Sequence, residues 1–258
     1  MQVDFGRTSS DYTQHRAGFP DAFFDRLSRE GFLRPGLRAL DVGTGTGTVA
    51  RGLAQRGCAV TALDVSAPML DAGRKLATDA GLNIDFREAP AEETGLPAGA
   101  FDLLTAGQCW HWFHRSAAAR EAMRLLVPGG RIVIAHFDWI CLRGNVAQAT
   151  EELMSEFNPN PPAYEHFANG VGIYTQWLRD ISDVGFTHLE TCSFDVPVFY
   201  TPTAWKGRCR ASAKVGASLP PAKVERFDAA LARLLDERFP GDVLDIPHRV
   251  FILTATRP

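Results

Sequence analysis

The chain has 258 residues, a formal net charge of −3 and 45% hydrophobic residues, enough apolar content for a sizeable core. That balance, with no basic run, lacks the electrostatic footprint of sequence-independent nucleic-acid binding and excludes a polymeric anion as the expected partner. Cys58, Cys109, Cys141, Cys192 and Cys209 are odd in number and scattered, no apolar run reaches membrane-spanning length, and the first residues lack a signal-peptide core; a cytoplasmic enzyme with reduced thiols, no metal site and no membrane partner is the expectation.

In chain order, the segment Asp11-Tyr12-Thr-Gln-His15-Arg16 leads into a helix near 20–31, whose start is marked by Pro20 and Asp21. A short apolar strand near 38–42 then runs into Gly43, Gly45 and Gly47, which allow a tight turn and a close approach of backbone to a ligand. The helix that follows, near 48–57, aims its N-terminal amides at the same place. A second strand, near 59–63, ends on Asp64, where a carboxylate can accept both hydroxyls of a ribose. This strand, turn, helix, strand and acid order builds a nucleotide-ribose site in a parallel α/β sheet.

The glycine spacing also satisfies the dinucleotide pattern, so further features are needed. Asp41 lies just before the glycines, where a carboxylate would repel a pyrophosphate and tolerate a cationic or zwitterionic ligand; it can equally serve as an internal acceptor for the turn. After a helix near 66–80 and a strand near 83–87, the loop from Glu88 to Pro97 offers a backbone amide at Ala91 and a carboxylate at Glu92 for an adenine edge. A strand near 101–106 leads to Gly107-Gln108-Cys109-Trp110-His111-Trp112-Phe113-His114, and a helix near 115–126 ends at a Pro-Gly-Gly turn before a buried strand near 130–136.

With these residues in hand, the chain resembles the class I S-adenosylmethionine-dependent methyltransferases, in particular the type 11 group related to the ubiquinone-pathway and trans-aconitate enzymes, over about residues 12–137. The resemblance implies an α/β, Rossmann-like, doubly wound seven-stranded sheet, mostly parallel with an antiparallel C-terminal strand, and helical lid insertions. It implies S-adenosylmethionine (SAM) as methyl donor and S-adenosylhomocysteine as product. Gly43, Thr44 and Gly45 would then contact the methionyl part, Asp64 the ribose, and Val65 or Met69 the adenine face. Tyr12 and Arg16 would close over the methionyl moiety, Arg16 pairing with its carboxylate. Pro90 stands where many relatives carry an acid, so Glu92 is the candidate for the exocyclic amine.

After Phe137 the rhythm changes. A helical stretch around 145–157 meets Asn158-Pro-Asn-Pro-Pro162, a helix near 175–184 precedes a strand near 188–196, and an amphipathic pattern from Pro221 to Phe239 precedes a last strand over 249–256. One class I domain over 1–258 is expected, with 32–137 binding SAM, 138–171 and 201–246 acting as substrate lids, and 172–200 and 247–258 completing the sheet. Packing or dimer formation is the alternative role for those insertions, and monomer and homodimer both remain open.

The 107–114 loop lies at the carboxyl edge of the sheet, beside the expected methyl group. Gln108 is expected to contact SAM or substrate, Trp110 or Trp112 to form a pocket wall, and His111 to serve as a base or as a structural histidine. Trp205 and Arg208 would bind a small anionic or polar substrate if they share a helix face, or else brace the lid. The function read from this pattern is in-line methyl transfer to a small molecule, driven by proximity and desolvation, with oxygen preferred as acceptor. A nicotinamide-dependent oxidoreductase and a non-catalytic SAM-binding regulator are the alternatives.

Overall fold

The computed structural model describes residues 18–160 and 171–258. α1, Asp21–Arg29, starts behind Pro20 and buries Phe23, Phe24 and Leu27 at helical spacing, leaving its charged positions outside. Then follow β1 (Arg38–Val42), α2 (Thr48–Gln55), β2 (Ala59–Asp64), α3 (Ala67–Asp79), β3 (Ile84–Glu88), β4 (Phe101–Gly107), a 3-10 turn (Trp110–Trp112) and α4 (Arg115–Leu125). The remaining elements are β5 (Leu126–Trp139), α5 (Val146–Phe157), α6 (Gln176–Ser182), β6 (Thr187–Tyr200), α7 (Pro202–Arg210), α8 (Pro221–Arg238) and β7 (Leu244–Thr256).

The strands form a seven-stranded sheet in the order β3-β2-β1-β4-β5-β7-β6. β1 pairs in parallel with both β2 and β4, β2 with β3, and β4 with β5. Strand order therefore reverses between β1 and β4, and ligands enter an open α/β sheet at the carboxyl ends beside such a reversal. β7 runs against β5: Gly129 N donates to Arg257 O at 2.9 Å, and Ile140 N donates to Pro247 O at 2.8 Å, so partner numbers fall as residue numbers rise. β6 opposes β7 in the same sense, with Thr187 bonded to the carbonyl of Thr256 and Asp195 to Arg249.

Three expectations need correction. The Pro-Gly-Gly segment is not a turn ahead of a strand but an irregularity inside β5. Pairing with β4 jumps from Phe101↔Leu126 to Leu103↔Arg131, and Gly129 takes φ 76° to absorb the extra residues. β7 begins at Leu244 rather than Arg249, because residues 244, 246, 248 and 250 alternate inward and keep one face buried ahead of the continuous apolar run. β6 likewise extends to Tyr200, with near-regular alternation of partly buried and exposed positions.

The chain divides into two compact units. One comprises 18–137, 173–194 and 250–258, and its core is built on the sheet by Leu40, Leu53, Leu63, Leu103, Leu104 and Ile132 to Ala135. The described part of the other comprises 138–160, 171–172 and 195–249. Its core gathers Trp205, Phe227, Leu231, Leu235 and Ile246, so the amphipathic face read along α8 does point inward. Among the described residues no helix is long and apolar enough to cross a membrane.

Candidate functional site

The glycine turn between β1 and α2 is held from two sides. Thr44 N donates to Leu63 O at 2.8 Å, which ties the turn to β2. Gly45 N donates to Asp64 Oδ2 at 2.8 Å, and Ser66 N to Asp64 Oδ1 at 2.9 Å. The carboxylate ending β2 is thus fixed in orientation by two backbone amides, each oxygen keeping a further lone pair for a hydroxyl. Burial pushes the Asp64 pKa up and these amides pull it down. Gly43, Gly45 and Gly47 have φ of 61°, 56° and 80°, the left-handed region that glycine enters without strain. A Cβ on Gly43 would stand 2.7 Å from Cys109 Cβ and 2.9 Å from Phe113 Cζ, so turn and 107–114 loop touch at the carboxyl edge.

Asp41 is turned into the protein. It is buried, Thr44 Oγ1 donates to its Oδ2 and Thr105 Oγ1 to its Oδ1, each at 2.6 Å. Burial pushes its pKa up to about 6. Through these two hydroxyls it braces turn to sheet. The ionised form is the costly one, so its contribution to stability is present below the unfolded pKa near 3.8 and is lost as pH rises through about 6; Asp41→Asn should flatten that part of the stability profile.

Val65 is 67% exposed immediately after Asp64, an apolar ledge beside the carboxylate. Met69, the other candidate, is buried within α3 and does not share that ledge. In the loop after β3, Ala91 is buried, and Glu92 Oε1 accepts the His114 amide at 2.7 Å, capping the start of α4. That bond occupies one oxygen of the carboxylate expected to meet an exocyclic amine. The loop is latched further on. Glu121 accepts from Thr94 N, Thr94 Oγ1 and the Arg124 guanidinium at 3.0, 2.6 and 2.7 Å. Arg124 holds the Glu121 pKa down to about 2. Since that lies below the unfolded value near 4.5, the stabilisation is complete above pH 4.5 and disappears as pH falls toward 2. Glu121→Gln should cost on the order of 2 kcal/mol at pH 7 and much less at pH 3, measured by urea unfolding at both.

Beyond β4, Gln108 has φ 60°, unusual for a side chain of its size, and is pinned by its amide to Ala135 O and by Nε2 to Phe137 O, at 2.8 and 2.7 Å. Trp110, expected at a pocket wall, is fully buried with its indole N–H on Asp180 Oδ2 at 3.1 Å, while its neighbour Trp112 is 38% exposed. The 3-10 turn sends the two rings apart, and the reading of Trp110 as a substrate contact is withdrawn. His111 sits among aromatic rings, its centroid 5.2 Å from Trp112, 5.3 Å from His136 and 6.4 Å from Trp177, and Trp177 stacks on Tyr174 at 4.1 Å. His136, Tyr174 and Trp177 come from β5 and from residues at and just before α6, and sequence reading missed them because nothing near His111 in the chain points to them. Tyr12 and Arg16 lie outside the described residues.

In the other unit, Trp205 belongs to the core, its indole N–H on Thr150 Oγ1 at 3.0 Å, which removes it from the candidate substrate contacts. The Arg208 guanidinium stacks over Trp139 at 4.4 Å.

Residues 40–134 match the family described as a methyltransferase domain. The demethylmenaquinone methyltransferase of Renibacterium salmoninarum is 31% identical over 172 residues, 60% of this chain and 71% of that one. The ubiquinone/menaquinone biosynthesis C-methyltransferase of Vibrio vulnificus is 35% identical over 111 residues, 40% of this chain and 42% of that one. The chain spans about half or less of the length of several other curated relatives that it matches. Among solved structures, phosphoethanolamine N-methyltransferase 2 of Haemonchus contortus, in complex with phosphomonomethylethanolamine and S-adenosylhomocysteine, superposes with a TM-score of 0.60 at 18% identity, over 100% of this chain and 61% of that one. The parallel sheet, the glycine turn clasped by Asp64 and the relative matched over most of its length together make the chain a member of the class I S-adenosylmethionine-dependent methyltransferases.

Proposed function

We propose that the protein methylates a small molecule bearing a ring or enol hydroxyl, at a carbon next to that hydroxyl. The cofactor part of this reading is carried by the Asp64 carboxylate fixed on Gly45 and Ser66 beside the exposed Val65, a cradle that fits a nucleoside: acceptors for two ribose hydroxyls next to an apolar ledge for a base. When bound, SAM supplies an electrophilic methyl group on a sulfonium. The chain's own residues would orient the two partners and exclude water, which is most of what such a displacement requires.

The carbon acceptor rests on the relatives named for C-methylation, and oxygen, preferred from the loop alone, gains nothing from them. Both outcomes need the hydroxyl proton removed, since the resulting anion is nucleophilic at oxygen and at the adjacent carbon. His111, at the carboxyl edge and ringed by Trp112, His136 and Trp177, is the base in this reading. Calorimetry with SAM, S-adenosylhomocysteine and NAD tests the cofactor, and preference for NAD would reject it. A hydroxylated-ring panel analysed by NMR tests the acceptor, and a methyl on oxygen would reject carbon. His111→Ala should lower kcat about 100-fold while SAM affinity stays unchanged; an unaltered kcat would return His111 to a structural role.

A further inference from the structure

The stretch that carries His111 is pinned to the sheet at its start and gripped by α6 further on. Gln108 bonds Ala135 O and Phe137 O, and Cys109 Sγ donates to Val42 O at 3.1 Å. Residues 110–112 then make one 3-10 turn, with Trp112 N on Cys109 O at 2.8 Å. Successive side chains leave such a turn about 120° apart, so a ring locked at one position sets the direction of the next. Trp110 is that locked ring. It is 1% exposed, meets Phe113 edge-on at 5.9 Å, and gives its indole N–H to Asp180 Oδ2 at 3.1 Å.

α6 meets the turn with two residues at once. Trp177, Asp180 and Ile181 share one face of the helix by their spacing, and Trp177 and Ile181 are fully buried there. From that face Asp180 takes the Trp110 N–H, while the Trp177 ring lies parallel to His111, 9° between planes and 6.4 Å between centroids. The same Asp180 Oδ2 stands 3.2 Å from the Arg115 guanidinium at the start of α4. One carboxylate oxygen thus bridges residues 110 and 115, with His111 between them. Burial disfavours the Asp180 charge, and the Trp110 N–H and Arg115 favour it.

We propose that Asp180 is a positioning residue of the candidate site: by holding Trp110 from α6 it keeps His111 against Trp177 and His136. Without that acceptor the buried indole N–H would have to turn toward another, and the 3-10 turn would move with it. That the placement serves methyl transfer rests on the reading of His111 as the base. The placement itself is measurable with neither SAM nor an acceptor present.

The experiment is histidine NMR of the whole chain for the wild type, Asp180→Ala, Asp180→Asn, Trp110→Phe and the double variant Asp180→Ala/Trp110→Phe. In the wild type the His111 ring protons lie in the ring currents of Trp112 and Trp177. Asp180→Ala and Trp110→Phe should each move them toward the shifts of the exposed His188, and the double variant should move them no further, because both changes break one bond. Asp180→Asn should keep the wild-type shifts, since both contacts fall on one oxygen and an amide oxygen can take its place. The His136 protons, 4.6 Å from Tyr174 between ring centroids, should stay nearly fixed throughout. On a hydroxylated ring that the enzyme methylates, kcat should fall about tenfold in Asp180→Ala, recover in Asp180→Asn, and leave SAM affinity unchanged. His111 shifts unaltered in Asp180→Ala and Trp110→Phe would overturn the proposal whatever happens to kcat. So would His136 moving as far as His111, which would make Asp180 a brace for the whole of α6, or Asp180→Asn behaving like Asp180→Ala, which would leave only the charge on Arg115. Moved His111 shifts with an unchanged kcat would uphold the grip of Asp180 and reject His111 as the base.

Discussion

Asp64→Ala is expected to weaken SAM binding about 100-fold, measured by calorimetry, with little change in the far-ultraviolet spectrum. Two charge-assisted bonds to ribose hydroxyls, at about 1.5 kcal/mol each, account for that loss. The replacement also frees Gly45 N and Ser66 N, now held at 2.8 and 2.9 Å, so the turn itself slackens. Asp64→Asn separates the two effects. An amide can accept from one of the two backbone donors but presents its own N–H₂ group to the other, so it should recover only part of the affinity. If Asp64→Ala binds SAM as the wild type does, the ribose assignment fails.

Gly43→Ala is expected to cost about 3 kcal/mol of folding stability and to abolish measurable SAM binding. A φ of 61° costs a side-chain-bearing residue about 1 kcal/mol. The added methyl would also meet Cys109 Cβ, Cys109 Sγ and Phe113 Cζ at 2.7, 2.8 and 2.9 Å, and such overpacking adds roughly 1–3 kcal/mol. Gly81→Ala is the internal comparison: it has a similar φ of 67° with nothing within 4 Å of the new methyl, and should lose only about 1 kcal/mol, the strain alone. Equal losses at the two positions in urea unfolding would show that the contact between turn and loop is soft.

The parallel half of the sheet and the place of Asp64 at the end of β2 beside the glycine turn were legible because they are contiguous: apolar strand, glycines, helix, strand and Asp64 fall within 38–64. What lay beyond sequence was direction and distance. Both faces of β1 are covered, so alternation could not say whether Asp41 looks outward or, as it does, toward Thr105 on the neighbouring strand. Trp110 and Trp112 read alike as letters, and only the 3-10 turn decides which is buried. The rings around His111 arrive from positions 136, 174 and 177, whose separation along the chain carries no periodic signal. Arg208 and Trp205 were correctly noticed on one helix, but whether each has a partner is a property of packing, which spacing does not encode.

The strand order has a bearing on how the protein is made. β7, the last strand in the chain, sits between β5 and β6 rather than at a margin. Until it emerges from the ribosome, β5 shows a bare edge and β6 has no neighbour to bond, so a nascent chain holding everything through residue 243 still lacks a closed sheet. A chain cut just before Leu244 should therefore yield an insoluble product rather than a shortened enzyme.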